Sequence, residues 1–176
     1  MATVENEAIA VPDHLKKWSN DWANNQHPWQ MEKVNPNLIA QLPNITPPSG
    51  PADTKILGPL CGQSHDLLYL VQKGYTVFGI EAIRSSIDGL NQRDNLGLEE
   101  SKDSSSILRT PDGKLTIFQG DILECPIENW GPFDIIWDRA SLVAMELCHR
   151  EKYIEVLKRS VSVPASSGDD CNRKCK

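Results

Sequence analysis

Two hydrophobic periods alternate from Lys55 onward. The run Ile56 to Leu60 predicts a strand that reaches a tight Cys61-Gly62 turn. Leu67, Leu68 and Val71 follow at i, i+1, i+4, the spacing of a helix face, and Lys73-Gly74 stops them. A second apolar run, Tyr75 to Ile80, predicts a strand that ends on a carboxylate, Glu81. Strand, turn, helix, strand and acid make half of a nucleotide-binding α/β unit. Ile83, Ile87 and Leu90 then mark a helix with Gly97 as its stop, and Leu98 to Ser106 reads as a polar loop. Ile107–Thr110 and Leu115–Phe118 flank Pro111-Asp112-Gly113-Lys114, a strong hairpin signal. Phe133 to Asp138 predicts a buried strand, and Tyr153, Val156 and Leu157 mark an amphipathic helix between about Cys148 and Val161. No internal repeat is visible.

The N-terminal third has a different texture. Asp13 is placed to cap a helix from about His14 to Asn24, on which Leu15, Trp18 and Trp22 share one face. A loop bearing Trp29 follows, then a short helix at Asn35–Ala40 and a Pro/Gly/Ser linker at Gln41–Asp53. Three of the five tryptophans of the chain are gathered here. They either glue the helix to the core or form an aromatic lid over a flat ligand. The chain thus divides into a flexible N-terminus (1–13), an aromatic helix or lid with linker (14–54), an α/β core (55–161) and an irregular tail (162–176).

Composition narrows the function classes. A net charge of −6 with no Lys/Arg block argues against nucleic acid as a partner. No apolar stretch approaches the roughly 18 residues of a membrane span, and the N-terminus lacks the basic start of a signal peptide. Five scattered cysteines make no disulfide framework. The expectation is a cytoplasmic protein, monomeric unless an open sheet edge recruits a partner.

Candidate chemistry gathers at predicted strand ends. Gly62 precedes Glu81 by 19 positions, close to the roughly 20-residue offset at which nucleotide-binding folds place a ribose-binding acid. The turn offers Gly62 alone rather than G-x-G-x-x-G, which argues against a dinucleotide pyrophosphate. A ligand without phosphates, such as S-adenosylmethionine, needs fewer glycines there. Asp121 after Gly120 and the pair Asp138-Arg139 end the next strands, so these residues form a set around a ligand crevice. Singly, each also reads as an ordinary turn or strand-end residue. Cys171 and Cys175 lack partners for zinc, no histidine spacing suggests a metal, and Cys61 reads as packing.

The stretches GPLCGQSHDLLYLVQKGYTVFGIE, PDGKLTIFQGDIL and FDIIWDRASLVAM resemble the thiopurine S-methyltransferase family, and WSNDW at Trp18–Trp22 is similar to its W-x-x-x-W helix. The resemblance covers roughly Leu15 to Val161. It implies an α/β, Rossmann-like S-adenosylmethionine-dependent methyltransferase sheet, here ending after the fourth strand and its helix, with an apolar strand left at the edge. It implies methylation of small aromatic or heterocyclic thiols. It also implies cofactor contacts from Trp18, Trp22, Trp29, Leu60, Gly62, Glu81, Asp121, Ile122 and Arg139. Trp29 and Arg139 would also face the acceptor, and Arg139 would assist it electrostatically with Asp138 as a candidate base. The alternatives are a halide or thiocyanate methyltransferase of the same fold, and a truncated non-catalytic chain that only binds cofactor.

Overall fold

The computed structural model describes residues 12–161, so the expected flexible N-terminus, up to Val11, and the irregular tail lie outside the described residues. Two helices, α1 (Asp13–Ala23) and α2 (Pro36–Ile45), precede the core. The core runs β1 (Lys55–Gly58), α3 (His65–Gln72), β2 (Thr76–Glu81), α4 (Arg84–Asp94), β3 (Glu99–Ser101), β4 (Ser104–Arg109), β5 (Leu115–Gln119) and β6 (Ile135–Ile136). A single-turn helix α5 (Ser141–Ala144) and α6 (Arg150–Ser160) close the described chain.

The six strands form one sheet in the order β3-β4-β5-β2-β1-β6. β5, β2, β1 and β6 are parallel, and the β3–β4–β5 meander is antiparallel. The chain steps from β1 through β2 to β5 on one side, then returns to place β6 on the other side of β1. That reversal is a topological switch point, where parallel sheets open a ligand crevice at their carboxyl ends.

Period-two alternation sends successive side chains to opposite faces, so the sheet carries two apolar layers. Ile56, Val77, Leu115 and Ile117 pack with Leu38 and Leu42 of α2, Leu67 and Leu70 of α3, and Ile87 and Leu90 of α4. Leu57, Phe78 and Ile80 pack on the opposite side with Ile122, Phe133, Tyr153 and Val156. Helices on both faces account for the near-continuous burial of β1 and β2.

Several local expectations change. Asp13 does not cap α1; Pro12 precedes the helix, and the Asp13 carboxylate pairs with Lys16 Nζ at 2.6 Å. α2 runs through Pro43 to Ile45 because Leu38 and Leu42, four apart, are both buried, and that packing outweighs the bond Pro43 cannot donate. Asn95, in the left-handed region at φ 49°, ends α4 before Gly97 is reached. The supposed polar loop at Leu98–Ser106 contains β3 and the start of β4, a polar edge ribbon that alternation of apolar residues cannot reveal.

Among the described residues the sheet ends at β6, with only two ladder residues. Phe133 and Ile135 are nevertheless buried, so the edge presents backbone rather than an apolar strip. Phe133 also bridges in parallel to Val161, and its N–H donates to the Ser160 carbonyl at 2.8 Å.

On α3 the buried face is Asp66, Leu67 and Leu70, while Leu68 is partly exposed and Val71 lies at the margin. Leu70→Ala is therefore expected to cost about 2–5 kcal/mol by urea denaturation. Leu68→Ala should cost less than about 1.5 kcal/mol. Equal losses would contradict this orientation of the helix.

Candidate functional site

The turn after β1 takes a backbone shape that glycine permits, and Trp22 covers it. Leu60 and Gly62 both lie in the left-handed region, at φ 43° and 51°. A side chain on Gly62 would combine that strain with a crowded neighbour, since its Cβ would lie 3.2 Å from the Trp22 ring. The Cys61 N–H donates to the Ile80 carbonyl at 2.9 Å, holding the turn against β2. Glu81, buried at the end of β2, completes the connection. Its carboxylate accepts from Gly62 N–H through Oε2 and from Ile83 N–H through Oε1, each at 2.8 Å. Burial raises the Glu81 pKa, opposed by the backbone N–H groups of Ile83, Gly62 and Ala82. Burial, reinforced by the Glu81 charge, pushes the Cys61 thiol well above its ordinary value, so Cys61 is a packing residue rather than a nucleophile.

Above this floor stands the aromatic segment. Trp18 and Trp29 meet edge to face at 5.2 Å and 84°, and Trp22 meets Trp29 at 6.2 Å and 87°. Trp22 is buried and stacks on His27 at 4.5 Å, whereas Trp18 and Trp29 are half-buried. One tryptophan thus anchors the segment while the other two leave apolar faces along a cleft. The cleft opens between this aromatic segment and the strand ends, with roughly 940 Å³ of space in and before it once open solvent is counted.

Every expected cofactor residue lines this cleft: Trp18, Trp22, Trp29, Leu60, Gly62, Glu81, Asp121, Ile122 and Arg139. Asp121, just past β5, is bonded through both carboxylate oxygens. Oδ1 accepts from Leu123 N–H at 2.9 Å as a turn cap, while Oδ2 pairs with His14 Nε2 at 2.8 Å. Arg139, past β6, donates from Nη1 to the Trp29 carbonyl at 3.1 Å. Asp138 is the exception. It lies outside the lining of the cleft. Its Oδ1 accepts from Ser141 N–H and its Oδ2 from Tyr153 O–H, both at 2.8 Å. Both oxygens hold α5 and α6 in place, so the geometry does not favour Asp138 as a base.

Three residues escaped the sequence reading. His14 ties the start of α1 to Asp121 across the cleft. Gln30 lines the cleft beside Trp29, and its only sequence signal was that adjacency. Asp66 is the third. Buried in the first turn of α3, it accepts from Asn35 N–H at 2.8 Å and Trp137 Nε1 at 2.7 Å, and it stands 3.9 Å from Arg139 Nε. A single carboxylate therefore joins the segment before α2 to the end of β6. Its position in a helical first turn gave no hint of burial. At the rim, ligand atoms of Glu146, Cys148 and His149 converge within 4.8 Å, on exposed or half-exposed side chains.

The parallel order β5-β2-β1-β6 and a cleft at the carboxyl ends of those strands define a Rossmann-like α/β fold. Solved structures share it. Burkholderia thailandensis 1,6-didemethyltoxoflavin-N1-methyltransferase, solved with 1,6-didemethyltoxoflavin and S-adenosylhomocysteine, aligns with a TM-score of 0.57 at 14% identity, over 89% of this chain and 62% of its own. A TehB-like methyltransferase from Corynebacterium glutamicum aligns at 0.51 and 20% identity, over 86% and 68%.

At the sequence level, the profile of the thiopurine S-methyltransferase (TPMT) family matches residues 14–166, and the chain belongs to that family. Among curated relatives, the probable thiopurine S-methyltransferase of Danio rerio is 30% identical over 147 residues, covering 81% of this chain and 62% of its own length. The thiopurine S-methyltransferase of Legionella pneumophila (strain Corby) is 33% identical over 139 residues, covering 79% and 61%. The chain thus spans less than two thirds of the length of these relatives.

Asp66→Ala would strip partners from Arg139, the Trp137 indole and the Asn35 amide together. The expected loss is about 2–4 kcal/mol in urea denaturation. A loss below about 0.5 kcal/mol would show that the carboxylate does not hold the N-terminal segment to the core.

Proposed function

We propose that the chain binds S-adenosylmethionine in this cleft and methylates small aromatic or heterocyclic thiols. The observation that carries the reading is the Glu81 carboxylate, buried at the end of β2 and fixed by two backbone N–H groups. A ribose diol offers the donors that such a carboxylate accepts. The cleft suits the rest of the cofactor: Ile122 supplies an apolar wall next to Asp121 for an adenine. Gln30 Oε1, a buried acceptor without a donor among the described residues, adds polar capacity.

S-adenosylmethionine, when bound, supplies an electrophilic methyl group on a sulfonium. The contribution of this chain is placement and surroundings. Trp18 and Trp29 offer flat apolar faces against which an aromatic acceptor stacks, and they exclude water from it. A dry site that aligns a thiolate with the methyl donor would help more through orientation than through proton chemistry. Aromatic thiols ionise readily, which reduces the need for a base. Arg139 favours an anionic acceptor electrostatically. Asp138 keeps Ser141 and Tyr153 in register rather than taking a proton.

A panel of acceptors with radiolabelled cofactor tests the assignment. Transfer to aromatic thiols supports it; transfer to iodide or thiocyanate alone moves the chain to the halide methyltransferase reading. Cofactor binding without transfer to any acceptor selects the non-catalytic reading. Monomer in solution and a cytoplasmic location are part of the same proposal, and no helix among the described residues is long and apolar enough to cross a membrane.

Glu81 adds a pH signature. Because burial raises its folded-state pKa, the free protein loses stability as pH climbs from the ordinary glutamate range to that raised value. Ribose donors favour the ionised form, so cofactor affinity should weaken as pH falls through the same window, by up to about tenfold per unit. Calorimetry with S-adenosylhomocysteine should show this slope in wild type and a flat profile in Glu81→Gln. A slope that persists in the variant would assign the titration to another group.

A further inference from the structure

Two residues lining the cleft, Gln30 and His149, each carry a buried polar atom with no hydrogen-bond partner among the described residues; the one at the β1 turn is Gln30 Oε1. Gln30 Nε2 donates to the Gln63 carbonyl at 2.6 Å and the Met31 carbonyl at 3.2 Å. Those two acceptors fix the amide orientation, because a flipped amide would set Oε1 against two carbonyl oxygens. The carbonyl of Gln30 is therefore directed to the position where the described residues offer it no donor. A Cβ on Gly62 would stand 4.0 Å from Oε1, which places the atom at the β1 turn. The Gln63 carbonyl that holds Nε2 also accepts from Arg93 Nη1, so the amide is fastened at the β1 turn, beside α3 and α4.

Position along the sheet identifies which ligand donor belongs there. Successive strand ends carry Asp121 (β5), Glu81 (β2), Gly62 with Gln30 (β1) and Arg139 (β6). A ligand laid across them with its adenine at Asp121 and its ribose at Glu81 brings its amino-acid end to β1 and β6. The strong donor at that end is the α-ammonium. We propose that Gln30 Oε1 accepts a hydrogen bond from the α-ammonium of the methionine part of the cofactor, making Gln30 a determinant of the amino-acid end. This rests on the reading that the cleft holds S-adenosylmethionine. An ammonium hydrogen bond in a site screened from water is of the stronger, charge-assisted kind.

The test compares S-adenosylhomocysteine with its analogue lacking the α-amino group, by calorimetry on the full chain. Wild type should prefer the parent ligand by about tenfold to hundredfold. In Gln30→Met the preference should collapse to within about threefold, with affinity for the desamino analogue close to that of wild type. The unchanged analogue affinity shows that the variant is folded. An undiminished preference in Gln30→Met, or an equal loss toward both ligands, overturns the assignment while leaving the cofactor reading intact. Failure of wild type to bind S-adenosylhomocysteine removes the cofactor reading itself.

Discussion

The site depends on one carboxylate that connects two loops. Glu81 spans from the end of β2 to the Gly62 amide in the β1 turn, and to the Ile83 amide at the start of α4. Without those bonds the backbone donors of Gly62 and Ile83 would be left facing an apolar cleft, a cost of about 1–3 kcal/mol for each unsatisfied group. The same carboxylate is strained electrostatically by burial, which raises its pKa. A ligand that donates hydroxyl hydrogens relieves that strain. Fold stability and ligand affinity are thus linked through a single charge.

A second buried carboxylate organises the roof. Asp66 holds the Asn35 amide, the Trp137 indole and, at longer range, the Arg139 guanidinium. Arg139 in turn holds the Trp29 carbonyl. The aromatic segment is therefore fastened through Asp66 and Arg139 at one end and through His14 with Asp121 at the other. Trp22 packs over Gly62 between these two attachments. The segment has features of both core glue and cover: its anchor is buried, while Trp18 and Trp29 keep their half-buried faces along the cleft.

Much of this was legible in the residues because it depends on local pattern. The offset between Gly62 and Glu81 reflects one strand-turn-helix-strand unit, and apolar runs announce the strands that carry Glu81, Asp121 and Arg139 to one edge of the sheet. What stayed hidden depends on distant partners. Asp66 meets Asn35 and Trp137 across 31 and 71 positions, and neither pairing has a periodicity. The orientation of Asp138 could not be read either, since Tyr153, 15 positions later, draws its carboxylate away from the cleft. Burial of Leu38 and Leu42 carried α2 past a proline that local propensity would use as a stop.

The most direct test of the Glu81-centred site is amide NMR of the labelled chain during titration with S-adenosylhomocysteine. Gly62 and Ile83 amides donate to the carboxylate that the ribose is expected to meet, so their resonances should shift among the most strongly and in parallel. Saturable binding that leaves both resonances unmoved would contradict the central role of Glu81 in ligand recognition.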